Sequence, residues 1–275
     1  MDEREIKLNK VNDIILLKLG GGLLTDKLKP LSIRETIVKS TIRQIINAKK
    51  QLVLIHGGGS FGHPLAKKYS ISKGINSSIP NQILGLVETH QAMVKLNSYI
   101  TNIFSEEGRP TLSMQPSSMF LKDVHDYSFN SIEIIEAVLD LKIIPILYGD
   151  IVLDKKGSFT IISGDQIILE LCENLKKFNI SKVIFATETE GIFIKDAKSN
   201  VKLVEEISFD DLNKLDLADL GHKIDVTGGI QGKIDSIKEL AKYKIPVQVI
   251  NGLEEGNILK SLTNKKITST YIKIN

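Results

Sequence analysis

Apolar residues follow two alternating patterns along the chain. Short runs rich in Ile, Val and Leu recur, and longer stretches with helical periodicity separate them. Continuous apolar runs are typical of parallel strands buried on both faces, which need crossover helices between them. The predicted strands span 13–19, 52–56, 110–114, 143–148, 182–186 and 246–250. The predicted helices span 32–49, 81–106, 131–141, 165–178 and 230–243.

Two segments break this alternation. Residues 151–162 bend at DKKG and residues 192–207 bend at DAKSN, and both have the pattern of a β-hairpin. The pattern therefore predicts an α/β fold, with a mainly parallel open sheet and β-hairpin insertions. Since no Pro/Ser-rich linker divides the chain, we expect one domain over residues 1–275.

Composition narrows the possible partners. The 36 Lys+Arg and 33 Asp+Glu residues give a net charge of +3, and 42% of residues are hydrophobic. This balance is typical of an ordinary globular protein and unlike the basic surplus of a nucleic-acid coat. Only four residues are arginines, which proteins favour for bidentate contacts to nucleic acids. We therefore expect no nucleic-acid partner.

The N-terminus and the single cysteine bear on location. The first ten residues mix both charge signs, and no apolar run approaches the roughly 20 residues of a membrane span. Cys172 has no second cysteine to pair with and lies in an apolar helical stretch, where a core thiol is the simplest interpretation. We expect a cytoplasmic protein without a membrane partner.

Glycine-rich segments follow the predicted strands at four junctions. These segments read KLGGGLLTDK, HGGGSFGH, SGDQ and TGGIQGK. A single glycine cluster usually marks only a turn. Four clusters at strand-to-helix junctions instead favour an anion site, because ligands collect at the carboxyl edge of such sheets and glycine amides can converge on a phosphate.

Charged residues at these junctions are the candidate chemistry. Lys18 lies inside the buried run IILLKLG, where it either extends to the strand end or points at a phosphate. Lys27 could fold back over the same site, although alone it would be a surface lysine. Asp165 could be a helix cap or could hold lysines in place, and Asp150 is a second carboxylate near the same edge.

Two nucleotide-binding patterns fit poorly. The glycines at 57, 59 and 62 match GxGxxG, but no acidic residue follows between His63 and Val87 to bind a ribose. A dehydrogenase is therefore a minor alternative. TGGIQGK is not a Walker A loop, since Thr227 and Ile234 replace its first glycine and its Ser/Thr. Lys233 near that helix start and His63 in the second junction remain candidate phosphate ligands. The alternative is that each lies at the start of a helix and has no role in ligand binding.

The ordered set of KLGG, HGGGSFGH, SGD and TGGIQGK resembles the amino acid kinase family. Within that family it is similar to the isopentenyl phosphate kinases, chiefly through His63 at the end of HGGGSFGH. TDK, THQAM at 89–93 and the YGD that precedes the hairpin strengthen this resemblance. It implies a three-layer αβα sandwich, usually a homodimer, with ATP, Mg²⁺ and isopentenyl phosphate as its ligands.

The resemblance also implies a role for each matching residue. The catalytic group would be Lys18, Lys27, His63, Asp165 and Lys233. The acceptor would bind at Gly58, His63 and Gly164. ATP would bind at Lys18, Leu19, Gly20, Gly21, Gly22, Gly59, Thr187, Glu190, Gly229 and Lys233. Residues 1–160 would form the acceptor half and residues 161–275 the ATP half, and no residue is expected to be a direct metal ligand.

Several positions depart from the family pattern. Gly22 stands where the family often has Ser, Gln166 where it often has Asp, and Glu188 and Glu190 replace aspartates of a DVDG-like turn. A UMP or phosphonate kinase of the same fold, or a non-catalytic effector-binding module, is the alternative function. An apolar substrate tail would need an apolar wall, and the candidates are Ile83, Leu84, Val87, Met93 and Ile100.

Overall fold

The computed structural model describes residues 12–124, 126–195, 200–212 and 229–274. Within these ranges the strands are β1 (Asp13–Leu19), β2 (Leu52–His56), β3 (Thr111–Ser113), β4 (Phe120–Asp123), β5 (Asp126–Phe129), β6 (Ile144–Tyr148), β7 (Asp150–Asp154), β8 (Phe159–Ile162), β9 (Asn179–Thr187), β10 (Phe193–Lys195), β11 (Val201–Leu203), β12 (Glu206–Ser208), β13 (Val247–Asn251) and β14 (Ser269–Lys273). The α-helices are α1 (Gly21–Leu24), α2 (Glu35–Ala48), α3 (Gly59–Lys68), α4 (Gln82–Glu106), α5 (Pro116–Met119), α6 (Ile132–Asp140), α7 (Gly164–Asn174), α8 (Phe209–Leu212), α9 (Gly229–Leu240) and α10 (Asn257–Leu262).

Eight strands form one sheet in the order β12-β14-β13-β9-β1-β2-β6-β3. All neighbouring pairs are parallel apart from β13 and β14, which are antiparallel. The predicted mainly parallel open sheet is therefore confirmed. Its carboxyl edge gathers the ends of β1, β2, β6 and β9, so the loops that follow these four strands lie side by side.

Helices cover both faces of this sheet. Alternate residues of β1 point to opposite faces, so Ile14 and Leu16 join one core cluster while Leu17 joins another. The first cluster takes apolar residues from α6, α7 and α9, and the second takes them from α2, α4 and α10. Two helical layers around one sheet confirm the expected αβα sandwich.

Smaller sheets account for the insertions. β7 and β8 form the predicted hairpin, and they join β4 and β5 in a four-stranded sheet that the pattern did not predict. β10 pairs with β11 as the second predicted hairpin. That prediction extended too far, because residues 206–208 form β12 and pair with β14 at the edge of the main sheet.

The remaining expectations about core and membrane segments are also resolved. Cys172 is buried in the first core cluster, where burial raises the pKa of its thiol to about 12. None of the helices in the described ranges is long and apolar enough to cross a membrane. Residues 1–11 and the Thr227-Gly228 part of the last glycine segment lie outside the described residues.

His56, the last residue of β2, is fully buried beneath the carboxyl edge. Its ring stacks on Tyr148 of β6 with centroids 5.3 Å apart, and its Nε2 lies 3.2 Å from Asn97 Oδ1 of α4. Burial favours the neutral imidazole and lowers the pKa of His56 to about 4. This histidine therefore has a packing role that its neighbour in the sequence motif, His63, does not share.

We predict that His56 makes folding stability fall as pH decreases from about 6.5 to about 4. The unfolded chain binds a proton at this histidine in that window and the folded chain does not, which costs up to about 3 kcal/mol. Denaturant unfolding of wild type and His56→Gln at pH 7 and pH 4.5 measures how much of the free energy of unfolding each protein loses between these pH values. The variant should lose less stability between the two pH values, and equal losses would contradict the assignment.

Candidate active site

Lys18 and Asp165 form an ion pair at the carboxyl edge. Lys18 precedes the last residue of β1, and Asp165 lies in the first turn of α7. Lys18 Nζ lies 2.5 Å from Asp165 Oδ1, and the two side chains are only 12% and 11% exposed. The ammonium thus has the anionic partner that burial in a parallel strand requires. Both residues line one cleft, so their charges face a ligand as well as each other.

The first two glycine segments touch through their backbones. A Cβ on Gly21 would lie 2.2 Å from the backbone nitrogen of Gly59, and one on Gly57 would lie 2.8 Å from the nitrogen of Gly21. Gly59 also has a φ of +47°, in the left-handed region that glycine tolerates best. The contact therefore depends on missing side chains, and it brings both loops to one cleft.

These segments surround a cleft of about 310 Å³. Of the predicted site residues, the cleft is lined by Lys18, Gly20, Gly21, Gly22, Lys27, Gly58, His63, Gly164, Asp165 and Thr187. His63 lies in the second turn of α3, because that helix begins at Gly59 and not beside the histidine. Three of the four glycine junctions thus meet at one place, and the fourth, TGGIQGK, lies partly outside the described residues.

The other predicted residues lie around this cleft or beyond it. The side chain of Leu19 is fully buried in the second core cluster, so it contributes only backbone to the edge. Gly59 contacts Gly21 through its backbone. A Glu190 carboxylate oxygen accepts a hydrogen bond from Asn251 Nδ2 at 3.3 Å. Gly229 begins α9, and Lys233 lies on that helix with its side chain outside the described residues.

Glu188 fixes Lys27 over the first glycine segment. Lys27 Nζ lies 2.5 Å from Glu188 Oε2, and Arg34 reaches the other carboxylate oxygen at 3.3 Å. A Cβ on Gly22 would lie 2.1 Å from Glu188 Oε2 and 2.4 Å from Lys27 Cε. The glycine at this position and the glutamate at 188 therefore depend on each other, since any side chain at residue 22 would displace the ion pair.

A second buried carboxylate, Asp150, also lines the cleft. Asp150 accepts from His90 Nδ1 at 2.9 Å and from the backbone N–H of Ile151 at 2.8 Å. The hydrogen bond to Asp150 raises the pKa of His90. Sequence reasoning placed Asp150 near the site but missed its partner. The only signal was the THQAM segment, whose spacing along α4 did not reveal the contact.

The cleft also has an apolar side, although the sequence identified it only in part. Met93 lines the cleft together with Ala66 and Ile161. The proposed wall residues Ile83, Leu84 and Val87 are instead 55%, 55% and 44% exposed, and Ile100 is buried in the second core cluster. These residues are therefore not the wall, because α4 turns a different face to the cleft.

The chemistry of the lining fits a polyphosphate. Lys18 and Lys27, the first two glycine segments and the start of α7 line one cleft, and this combination of ammonium groups, glycine backbone and a helix N-terminus is typical of phosphate sites. Among the described residues, no cluster of three or more His, Cys, Asp or Glu side chains could hold a metal ion by itself. A magnesium ion in this cleft would need oxygen ligands from the phosphates and water as well.

Comparison with known proteins identifies relatives along nearly the whole chain. The model of the amino acid kinase family matches residues 13–251. The isopentenyl phosphate kinase of Methanothermobacter thermautotrophicus is 34% identical, over 94% of this chain and 98% of the relative. The isopentenyl phosphate kinase of Methanocaldococcus jannaschii is 35% identical, over 90% and 95%.

A solved structure leads to the same group. An X-ray structure of isopentenyl phosphate kinase aligns with a TM-score of 0.79 and 30% identity, and it covers 94% of this chain and 100% of its own. The mainly parallel sheet with helices on both faces agrees with this similarity. The chain therefore belongs to the amino acid kinase family and, within that family, to the isopentenyl phosphate kinase group.

Proposed function

We propose that this protein transfers the γ-phosphoryl group of ATP to isopentenyl phosphate, which yields isopentenyl diphosphate and ADP. The observation that carries this proposal is that one cleft is lined by His63, the Lys18–Asp165 pair and the first two glycine segments, KLGGG and HGGG. Relatives named isopentenyl phosphate kinase match more than nine tenths of the chain, which supports the same substrate. The apolar contribution of Met93 and Ile161 to the cleft suits a short prenyl tail.

The reaction brings two anionic phosphates together, so alignment and charge neutralisation are the main tasks. An oxygen of the acceptor phosphate attacks the γ-phosphorus, and the bond from that phosphorus to the bridging oxygen of ADP breaks. Because a phosphate oxygen is already a nucleophile, the site needs no strong base. His63 and the Gly58 amide would hold the acceptor phosphate, and Gly164 would contact the acceptor.

The lysines would neutralise the charge on the transferring group. Asp165 fixes the Lys18 ammonium within the buried edge, so Lys18 can face phosphate oxygens without reorientation. Lys27 is held over Gly22 by Glu188, and exchange of that carboxylate for the γ-phosphate would bring Lys27 into the reaction. Gly59 would support the transferring group.

ATP would extend from the glycine segments toward the last strands of the sheet. The remaining contacts would come from Leu19, Gly20, Gly21, Gly22, Thr187, Glu190, Gly229 and Lys233. Mg²⁺ would neutralise phosphate charge when it is bound through the ATP oxygens and water. Residues 1–160 would be the acceptor half and residues 161–275 the ATP half.

The proposal includes a homodimer in the cytoplasm, and the buried reduced Cys172 is compatible with that compartment.

An ADP-release assay with different acceptors tests the proposed function. Isopentenyl phosphate, dimethylallyl phosphate, UMP, glutamate and carbamate are compared at equal concentrations with ATP and Mg²⁺. We expect turnover with the two prenyl phosphates to exceed turnover with the other acceptors, because only these two combine a phosphate monoester with a short apolar tail. A preference for UMP, or no preference among the five, would contradict the proposed substrate.

We further predict that His63→Ala acts through the acceptor. Loss of a hydrogen bond to a charged phosphate should raise the KM for isopentenyl phosphate about 10- to 100-fold, and the KM for ATP should change little. Initial rates measured against each substrate separate the two constants. His63→Gln, which keeps a donor, should recover part of the loss, whereas wild-type kinetics in His63→Ala would remove this residue from the site.

A further inference from the structure

A second cavity lies at the opposite edge of the main sheet. It has a volume of about 670 Å³ and opens where β1, β9 and β13 begin, beside the loop between α10 and β14. Lys182 near the start of β9 lines this cavity, while Thr187 at the end of the same strand lines the catalytic cleft. The two sites are therefore separated by the length of the central strands.

Positive charge predominates in this cavity. Lys50, Lys182, Lys265 and Lys266 line it, and Asp13 is the carboxylate among its lining residues. An Asp13 oxygen already accepts a hydrogen bond from Asn179 Nδ2 at 2.7 Å. With all four lysines protonated, the walls carry an excess of three positive charges. Lysines drawn together in this way repel one another unless an anion lies between them.

Lys182 makes the cavity more than a group of surface lysines. The residue is only 7% exposed, and its Nζ donates to the Ser261 carbonyl at 2.6 Å and to Asn264 Oδ1 at 3.0 Å. A longer contact of 3.3 Å reaches Gln248 Oε1, which also accepts from Ser261 Oγ at 2.7 Å. These three acceptors are neutral, so they satisfy the donor hydrogens but leave the charge uncompensated.

A purely structural role explains part of this arrangement. The Ser261 carbonyl in the last turn of α10 accepts from Lys182 Nζ at 2.6 Å and from the Asn264 N–H at 3.3 Å, so Lys182 helps to satisfy the end of this helix. That role does not require three more lysines around the same space. Burial and the nearby Lys50 charge lower the pKa of Lys182 to about 8, which is the physical cost of a buried ammonium without an anion. An anion in the cavity would remove that cost.

We propose that this cavity binds a small diphosphate-bearing anion. Two linked phosphate groups carry about three negative charges near neutral pH, which matches the excess positive charge of the walls. Lys265 and Lys266 are exposed and would contact the phosphate oxygens, while Lys182 would supply buried charge from below. The cavity volume leaves room for an organic substituent, so inorganic pyrophosphate and organic diphosphates share the chemistry that would be recognised.

Equilibrium dialysis with labelled pyrophosphate tests this proposal. The catalytic cleft and the second cavity should together bind two pyrophosphates per chain of wild type. Lys265→Ser/Lys266→Ser should bind one, and excess ATP should displace it. The matched control is Lys155→Ser/Lys156→Ser, which removes two adjacent exposed lysines on the β7–β8 turn and should still bind two. Repeating the dialysis with labelled ADP shows whether the second cavity also accepts an organic diphosphate.

The outcomes separate this site from the catalytic one. One pyrophosphate per wild-type chain that Lys265→Ser/Lys266→Ser still binds, or two per chain in that variant, would overturn the proposal. Equal losses in the cavity variant and in the control variant would also overturn it, because they would indicate a general charge effect. ADP release should stay at the wild-type level in Lys265→Ser/Lys266→Ser, so that assay reports failure of the proposed kinase function independently.

Discussion

The site depends on the close approach of two backbones at the ends of β1 and β2. With Gly21 and Gly59 in contact, no side chain can stand between the first two glycine segments. The parallel register of β1 and β2 brings the two loops to the same height, and the Gly57 N–H donates to the Leu19 carbonyl at 3.0 Å. Both loops therefore line the same cleft. That cleft is lined as well by the charged residues Lys18, Lys27, Asp150, Asp165 and Glu188.

The lysines of the cleft are held in position by individual carboxylate partners, which the overall composition does not reveal. Lys18 tolerates its buried position because Asp165 is its partner, and Lys27 lies across Gly22 because Glu188 is its partner. Gly22 and Glu188 are therefore one coupled feature. The net charge of +3 for the whole chain reveals neither pair. At the opposite edge, Lys182 has only neutral acceptors, which is why the second cavity differs from a surface lined with lysines.

The sequence predicted the parts of the fold that are continuous and buried. The predicted bounds of β1 and β2 agree with the structure, because both strands are apolar along almost their whole length. β14 was missed because its short sequence STYIK mixes polar and apolar residues. Strand-end glycines located the cleft. The His90–Asp150 contact and the exposure of Ile83 could not be foreseen, since both depend on how α4 is rotated against the sheet.

The most direct measurement of the central claim is the activity of Gly21→Ala. A Cβ at this residue would lie 2.2 Å from Gly59 N, so the loops must separate by about an ångström, and displacements of that size can lower turnover about 100-fold. The control is Gly108→Ala, which has a φ of +72° and no atom within 4 Å of the new Cβ. The account predicts that both variants fold, as circular dichroism would show, and that Gly21→Ala alone loses turnover with ATP and isopentenyl phosphate. Wild-type kcat/KM in Gly21→Ala would contradict it.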